Sequence, residues 1–146
     1  GLRHLGRECP GFDLHATDRR DVEPLLAGLP DRAAGRVRAN LVNRDLTVEA
    51  MRLLREGLDR VRLGELFTKH HEQLRDGIRV STPKIDRMLE AALEAGALGG
   101  KINGSGGGGC MFAYAPGREA EVAEALERAG GRAYPVTVDD GARSEV

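Results

Sequence analysis

The residues of this chain best suited to chemistry lie in one stretch, Lys101-Ile102-Asn103-Gly104-Ser105-Gly106-Gly107-Gly108-Gly109-Cys110, where five of the six positions from Gly104 to Gly109 are glycine. A glycine costs about 0.5–1 kcal/mol relative to alanine in regular structure, so such a run marks unusual dihedrals or close backbone approach. Backbone N–H groups that no side chain covers are what phosphate oxygens bind. Two widespread phosphate loops are excluded. A Walker A loop ends in Gly-Lys-Ser/Thr, whereas this one ends Gly-Cys-Met; a dinucleotide loop opens a helix, whereas an alternating Met111-Phe112-Ala113-Tyr114 follows here. The glycines by themselves leave two readings open, a tightly turned hairpin and a phosphate-related loop.

The other candidates have plainer readings. His70 and His71 are adjacent, so a helix points them to different faces, and they read as packed or solvated residues rather than a metal site. Asp76 and Ser81 stand near a helix end and a helix start, where carboxylates and hydroxyls cap backbone donors; a substrate-facing role is the second reading. Arg32, Arg36, Arg38, Arg44 and Arg52 are interleaved with Asp31, Asp45 and Glu49, the pattern of a solvated face. Cys110 leads into an apolar strand and reads as a small buried hydrophobe. Cys9 and Cys110 form no CxxC pair, so neither a zinc site nor a disulfide framework is indicated, and no metal-ligand set is visible.

The elements that must position these residues follow from periodicity and breakers. Pro10, Gly11, Pro24, Gly28 and Pro30 make residues 1–30 an irregular entry segment with one short helix, and residues 31–146 the domain proper. Asp31 is the expected cap of a long helix carrying Val37, Leu41, Val48, Met51 and Leu54 near one face and stopping around Gly57. Leu63, Leu66, Phe67, His70 and Leu74 define a second helix ending at Gly77. Ser81-Thr82-Pro83 opens a third, with Ile85, Met88, Leu89, Ala92 and Leu93 as its stripe and Gly96 as its stop. A strand at Gly100 to Asn103, the glycine loop and the strand from Met111 to Tyr114 come next. A helix through Val122, Ala125, Leu126 and Ala129 follows, ending at Gly130-Gly131, then a strand from Ala133 to Val138 and a frayed tail after Asp139. This order predicts an α+β fold with helices covering one face of a mainly antiparallel sheet.

Composition sets the frame. The 146 residues, 40% hydrophobic and 31% charged, suit one globular core. A net charge of -1 with mixed signs offers nucleic acid or anionic lipid no attracting field. There is no apolar run of the roughly 20 residues that a membrane span requires. The charged-then-apolar pattern of a secretory leader is not seen in these residues either, so an untargeted protein is expected. A reducing cytoplasm is the expected setting. The chain opens on Gly1 with no cap or clear period, which is expected of a segment that continues something upstream.

Lys101 to Cys110 resembles the third conserved motif of the GHMP kinases. So does the order of the pieces around it: a helix with His70, Leu74, Arg75 and Asp76, then Val80-Ser81-Thr82-Pro83-Lys84-Ile85-Asp86, a helix, the glycine loop and a strand. The resemblance runs from about Asn40 to Val138 and implies the family's carboxy-terminal domain, a ferredoxin-like layer of helices on a mainly antiparallel sheet. It also implies an ATP-dependent kinase using Mg2+, whose principal phosphate loop and catalytic residues belong to an amino-terminal domain absent from this sequence. No Pro-x-x-x-Gly-Leu-x-Ser-Ser segment is present. The chain alone is accordingly expected to be inactive, with no catalytic residue of its own. It would wall the ATP cleft with Gly104, Ser105, Gly106, Gly107, Gly108 and Gly109, flanked by Asn103, which stands where the family more usually has threonine. Asn103 and Ser105 would offer side-chain hydrogen bonds. On the substrate side, His71 to Asp76 and Val80-Ser81 resemble galactokinase, which implies a small-molecule sugar substrate with Asp76 and Ser81 nearby. The four-glycine run Gly106 to Gly109 looks more like mevalonate kinase, the alternative. A non-catalytic ligand-binding module and an interaction domain with an exposed strand edge are the other classes considered.

Overall fold

In the computed structural model, which describes residues 2–138 and Gly141, the chain is built around a long helix and a small hairpin sheet. The entry segment holds α1 (Leu2–Glu8), α2 (Arg19–Val22) and a 3-10 turn (Glu23–Gly28), more regular structure than its prolines suggest. It is a packed part of the molecule. Leu5, Val22 and Leu26 bury themselves against Ala34, Val37 and Leu41 of α3 (Asp31–Glu56). Burying side chains of this size stabilises by about 1.5–3 kcal/mol each. Arg44 of α3 fastens the same segment: its guanidinium donates to the carbonyls of Leu14 at 2.9 Å and Thr17 at 2.7 Å. Arg44 is therefore a clamp and not one of the solvated arginines of that helix.

Asp31 does not cap α3. The cap position is Pro30, whose carbonyl accepts from the amides of Ala33 and Ala34 at 2.8 and 3.0 Å, and Asp31 is the first helical residue. There its carboxylate still favours the positive end of the helix dipole. The apolar stripe of α3 is buried only in its first half: Leu41 is fully buried, whereas Leu54 is 60% exposed and Val48 and Met51 are exposed with it.

Asp59 caps α4 (Arg60–Glu72), accepting from the amide of Arg62 at 2.9 Å, and the Arg62 guanidinium returns to Glu49 of α3 at 2.6 Å. The helix widens into a π-turn, Gln73–Ile78, closed by Arg79 in the left-handed conformation (φ 64°, ψ 53°). Then Thr82 caps α5 (Pro83–Glu94), with Pro83 in its first turn. β1 (Gly99–Asn103) and β2 (Cys110–Tyr114) pair antiparallel, Gly99 opposite Tyr114 and Asn103 opposite Cys110. Last comes α6 (Glu119–Arg128). Both α5 and α6 end in a glycine with positive φ, Gly96 and Gly130, followed by an amide that reaches back to the last turn: Ala97 to Ala92 and Gly131 to Leu126, each 2.9 Å.

Helices lie on both faces of the sheet, not on one. Alternate residues of a strand point to opposite faces. On one face, Phe112 and Tyr114 set their rings edge-on against Phe67 of α4, with centroids 4.9 and 5.9 Å away. On the other, Ile102 and Met111 pack with Ile85 and Leu89 of α5, while Ala113 joins Ala92, Ala97 and Val122 between α5 and α6. Two strands are too few to shelter a face unaided, and the helices supply both layers.

The strand expected from Ala133 to Val138 does not form. Residues 131–138 pair with no strand among the described residues, and Tyr134, Val136 and Val138 are exposed. Pro135 removes one ladder donor, and a lone extended segment leaves the rest of its backbone to water. The frayed tail expected after Asp139 falls outside the described residues, apart from Gly141. No helix among the described residues is long and apolar enough to cross a membrane.

Candidate functional site

The loop from Gly104 to Gly109 joins the two strands, and Gly104, Gly106, Gly107 and Gly108 all have positive φ, between 77° and 100°. Its form is tied to the segment before α5. The Gly107 amide donates to the Val80 carbonyl at 2.9 Å. At Gly106 glycine is required twice over: φ is 82°, and a Cβ there would stand 2.5 Å from the Val80 oxygen. Gly108 lies over the Thr82 methyl, whereas Gly104, Gly107 and Gly109 face open space. One side of the loop is thus anchored to protein, and the other presents bare backbone. Asn103 and Ser105 are exposed at its shoulder.

Residues 79–82 form the strap beneath it. After the left-handed turn at Arg79, the Val80 amide donates to Leu74 of the π-turn at 3.0 Å while its carbonyl holds Gly107. A residue outside glycine costs energy in that conformation, and such strain clusters at functional sites. Ser81 donates its hydroxyl to Asp86 Oδ1 at 2.5 Å. The helix cap belongs instead to Thr82, whose Oγ1 accepts from the Ile85 amide at 3.4 Å.

Asp76 caps nothing either. Its carboxylate takes Arg75 Nε at 2.8 Å and Nη2 at 3.0 Å, and this guanidinium holds the carboxyl below the usual carboxylate range. The pair is exposed, on the π-turn. Cys110, expected to be buried, is exposed at the end of the ladder.

The histidines differ from each other, as adjacent helical residues must. His71 is 95% buried, with Nε2 3.3 Å from Asp86 Oδ1. Burial pushes its pKa down, and Asp86 partly opposes the shift. His70 is lowered to about 4, by burial first and then by the charge of Lys101. Lys101 in turn lies over the Phe112 ring, 5.5 Å from its centroid, and donates to the Ile102 carbonyl at 2.8 Å. Burial lowers the Lys101 pKa as well. Nδ1 of each histidine is buried with no hydrogen-bond partner among the described residues. No group of three or more His, Cys, Asp or Glu side chains able to hold a metal ion occurs among those residues.

Tertiary structure thus sets Ser81 on the strap, bonded to Asp86, and leaves Asp76 exposed on the π-turn beside Arg75. The group sequence reasoning passed over is Asp86, which Ser81 and His71 share; a separation of 15 residues between His71 and Asp86 leaves no local periodic signal.

With this glycine loop, strap and hairpin between helices, the chain belongs to a kinase-associated domain family, the GHMP kinase carboxy-terminal family. Residues 50–132, more than half of the chain, match the family described as GHMP kinases C terminal. The mevalonate kinase of Pyrococcus horikoshii is 53% identical over 70 residues, 48% of this chain and 21% of that protein. The galactokinase of Mannheimia succiniciproducens is 35% identical over 106 residues, 71% of this chain and 27% of that protein. In fold, the chain matches the crystal structure of Lactococcus lactis galactokinase complexed with galactose, with a TM-score of 0.73 at 23% identity, over 92% of this chain and 36% of that one. The match spans only about a fifth to a quarter of either curated relative.

Proposed function

We propose that this chain is the carboxy-terminal domain of an ATP-dependent kinase that phosphorylates a hydroxyl of a small sugar, with Gly104 to Gly109 flanking the ATP phosphates. The single observation that carries the loop's part is its anchoring: Gly107 is held to Val80 while the backbone of Gly104, Gly107 and Gly109 stays open. A preformed, side-chain-free surface costs no reorganisation when phosphate charge arrives. Bound ATP would supply the γ-phosphoryl group, and catalysis would rest on positioning and on stabilising charge at its oxygens. The ligands of Mg2+ are assigned to the amino-terminal part of the enzyme, as the family resemblance implies. The principal phosphate loop and the catalytic groups are assigned there too.

The sugar is favoured because the match to a galactokinase extends over 106 residues, against 70 for the mevalonate kinase of Pyrococcus horikoshii, although the latter is higher in identity. On the substrate side the two candidates are Asp76, exposed and paired with Arg75, and Ser81, whose hydroxyl is bonded to Asp86. A mevalonate-kinase-like enzyme is the second reading, supported by the 53% identity to a mevalonate kinase and by the unbroken Gly106 to Gly109 run. The cytoplasm is the proposed location, since free Cys9 and Cys110 suit a reducing compartment.

ATP-turnover assays of the full-length enzyme with galactose and with mevalonate separate the readings. Turnover with galactose alone is the expected result; turnover with mevalonate alone overturns the sugar assignment. The 146-residue chain is expected to turn over neither, and activity from it would overturn the division of labour between the domains.

A further inference from the structure

Three consecutive residues of the strap each hold a different part of the molecule. The Val80 carbonyl holds the glycine loop through the Gly107 amide, Thr82 caps α5 and lies beneath Gly108, and Ser81 between them is fixed to Asp86 at 2.5 Å. Asp86 sits in the first turn of α5 and so moves with that helix. Its Oδ1 also faces Nε2 of His71, a buried side chain at the end of α4. One carboxylate oxygen therefore joins the two helices to the segment under the loop. The strap leaves the π-turn at the left-handed Arg79, and Val80 is held there by its amide on the Leu74 carbonyl at 3.0 Å and by packing against the cluster of Ile85 and Leu89. Ser81 adds the one side-chain bond that ties the strap to Asp86.

We infer that Ser81, Asp86 and His71 form a positioning network that sets the place of the Val80 carbonyl, and through it the shape of the glycine loop. None of the three touches the loop's open side; they act through Val80 and Thr82. A hydroxyl-to-carboxylate bond is short, directional and stronger than a neutral one, which suits the task of holding a backbone carbonyl in place. The consequence for nucleotide rests on the proposed function, whereas the positioning itself does not.

The test uses amide hydrogen exchange in the 146-residue chain and kinetics of the full-length enzyme. In Ser81→Ala, exchange of the Gly107 amide is expected to rise about ten-fold, the scale of one lost hydrogen bond to a charged group, while the α6 amides keep their protection. Asp86→Ala should do the same, and Ser81→Thr, which keeps the hydroxyl, should restore protection. In the full-length enzyme the KM for ATP should rise by a similar factor with the KM for the phosphoryl acceptor little changed. An unchanged Gly107 amide overturns the network, and so does a rise shared equally by α6, which would make Ser81 a general stability residue. A selective rise at Gly107 with no change in the KM for ATP leaves the positioning standing and overturns the loop's place in the proposed function.

Discussion

Gly64 of α4 and Gly99 of β1 meet backbone to backbone: a Cβ added at Gly99 would fall on the Gly64 carbonyl, and one added at Gly64 would fall on the backbone and side chain of Leu98. This contact lets Phe67, one turn further along α4, reach Phe112 and Tyr114. Gly99→Ala is expected to destabilise by about 3 kcal/mol or more, at the upper end of overpacking costs, because the neighbour is main chain and cannot turn aside. Urea unfolding of the variant, followed by far-UV circular dichroism, measures it.

Two loop glycines with nearly the same φ separate clash from strain. Gly104 (φ 83°) faces open space, whereas Gly106 (φ 82°) faces the Val80 carbonyl. Gly104→Ala should cost about 1 kcal/mol from the left-handed backbone alone. Gly106→Ala should cost more and should also raise the KM for ATP of the full-length enzyme. Equal effects at both sites would mean that the contact with Val80 does not shape the loop.

The first and second halves of α3 should respond unequally to truncation. Leu41 is fully buried against Leu5, Val22 and Leu26, so Leu41→Ala is expected to cost about 2–5 kcal/mol. Leu54 is 60% exposed, and Leu54→Ala should stay within about 0.5 kcal/mol. Thermal melts of the two variants give the comparison directly.

Stability should fall as the solution is acidified through the histidine range. The folded chain depresses the His70 pKa from 6.5 to about 4, so between these values the unfolded chain binds more protons. Stability from the neutral ring is therefore complete above about pH 6.5, declines as pH drops, and levels off below about pH 4. His71 shifts in the same direction. Because His70 is only partly buried, solvent screening reduces the amplitude. His70→Gln should flatten this dependence, as read from urea midpoints at about pH 7.5 and about pH 4.5; an unchanged slope would assign it to other groups.

Much of the element order was legible in the sequence because its causes are local. Gly57, Gly96 and Gly130 stop helices through dihedrals that other residues rarely adopt, Thr82-Pro83 starts one, and apolar spacing of three and four marks the faces. The glycine run announced a loop with unusual backbone, and its resemblance to a GHMP kinase motif agrees with the family the chain belongs to. Only tertiary structure decided what each face meets. That α4 and α5 lie on opposite sides of the hairpin, that Arg44 clamps a segment 27 to 30 residues earlier, and that Ser81 and His71 share Asp86 all depend on contacts between distant elements. Side-chain period reports which residues share a face but not what covers it. For the same reason the alternation at Tyr134, Val136 and Val138 reads as a strand, yet these residues stay unpaired: a strand exists only where a second backbone accepts its hydrogen bonds.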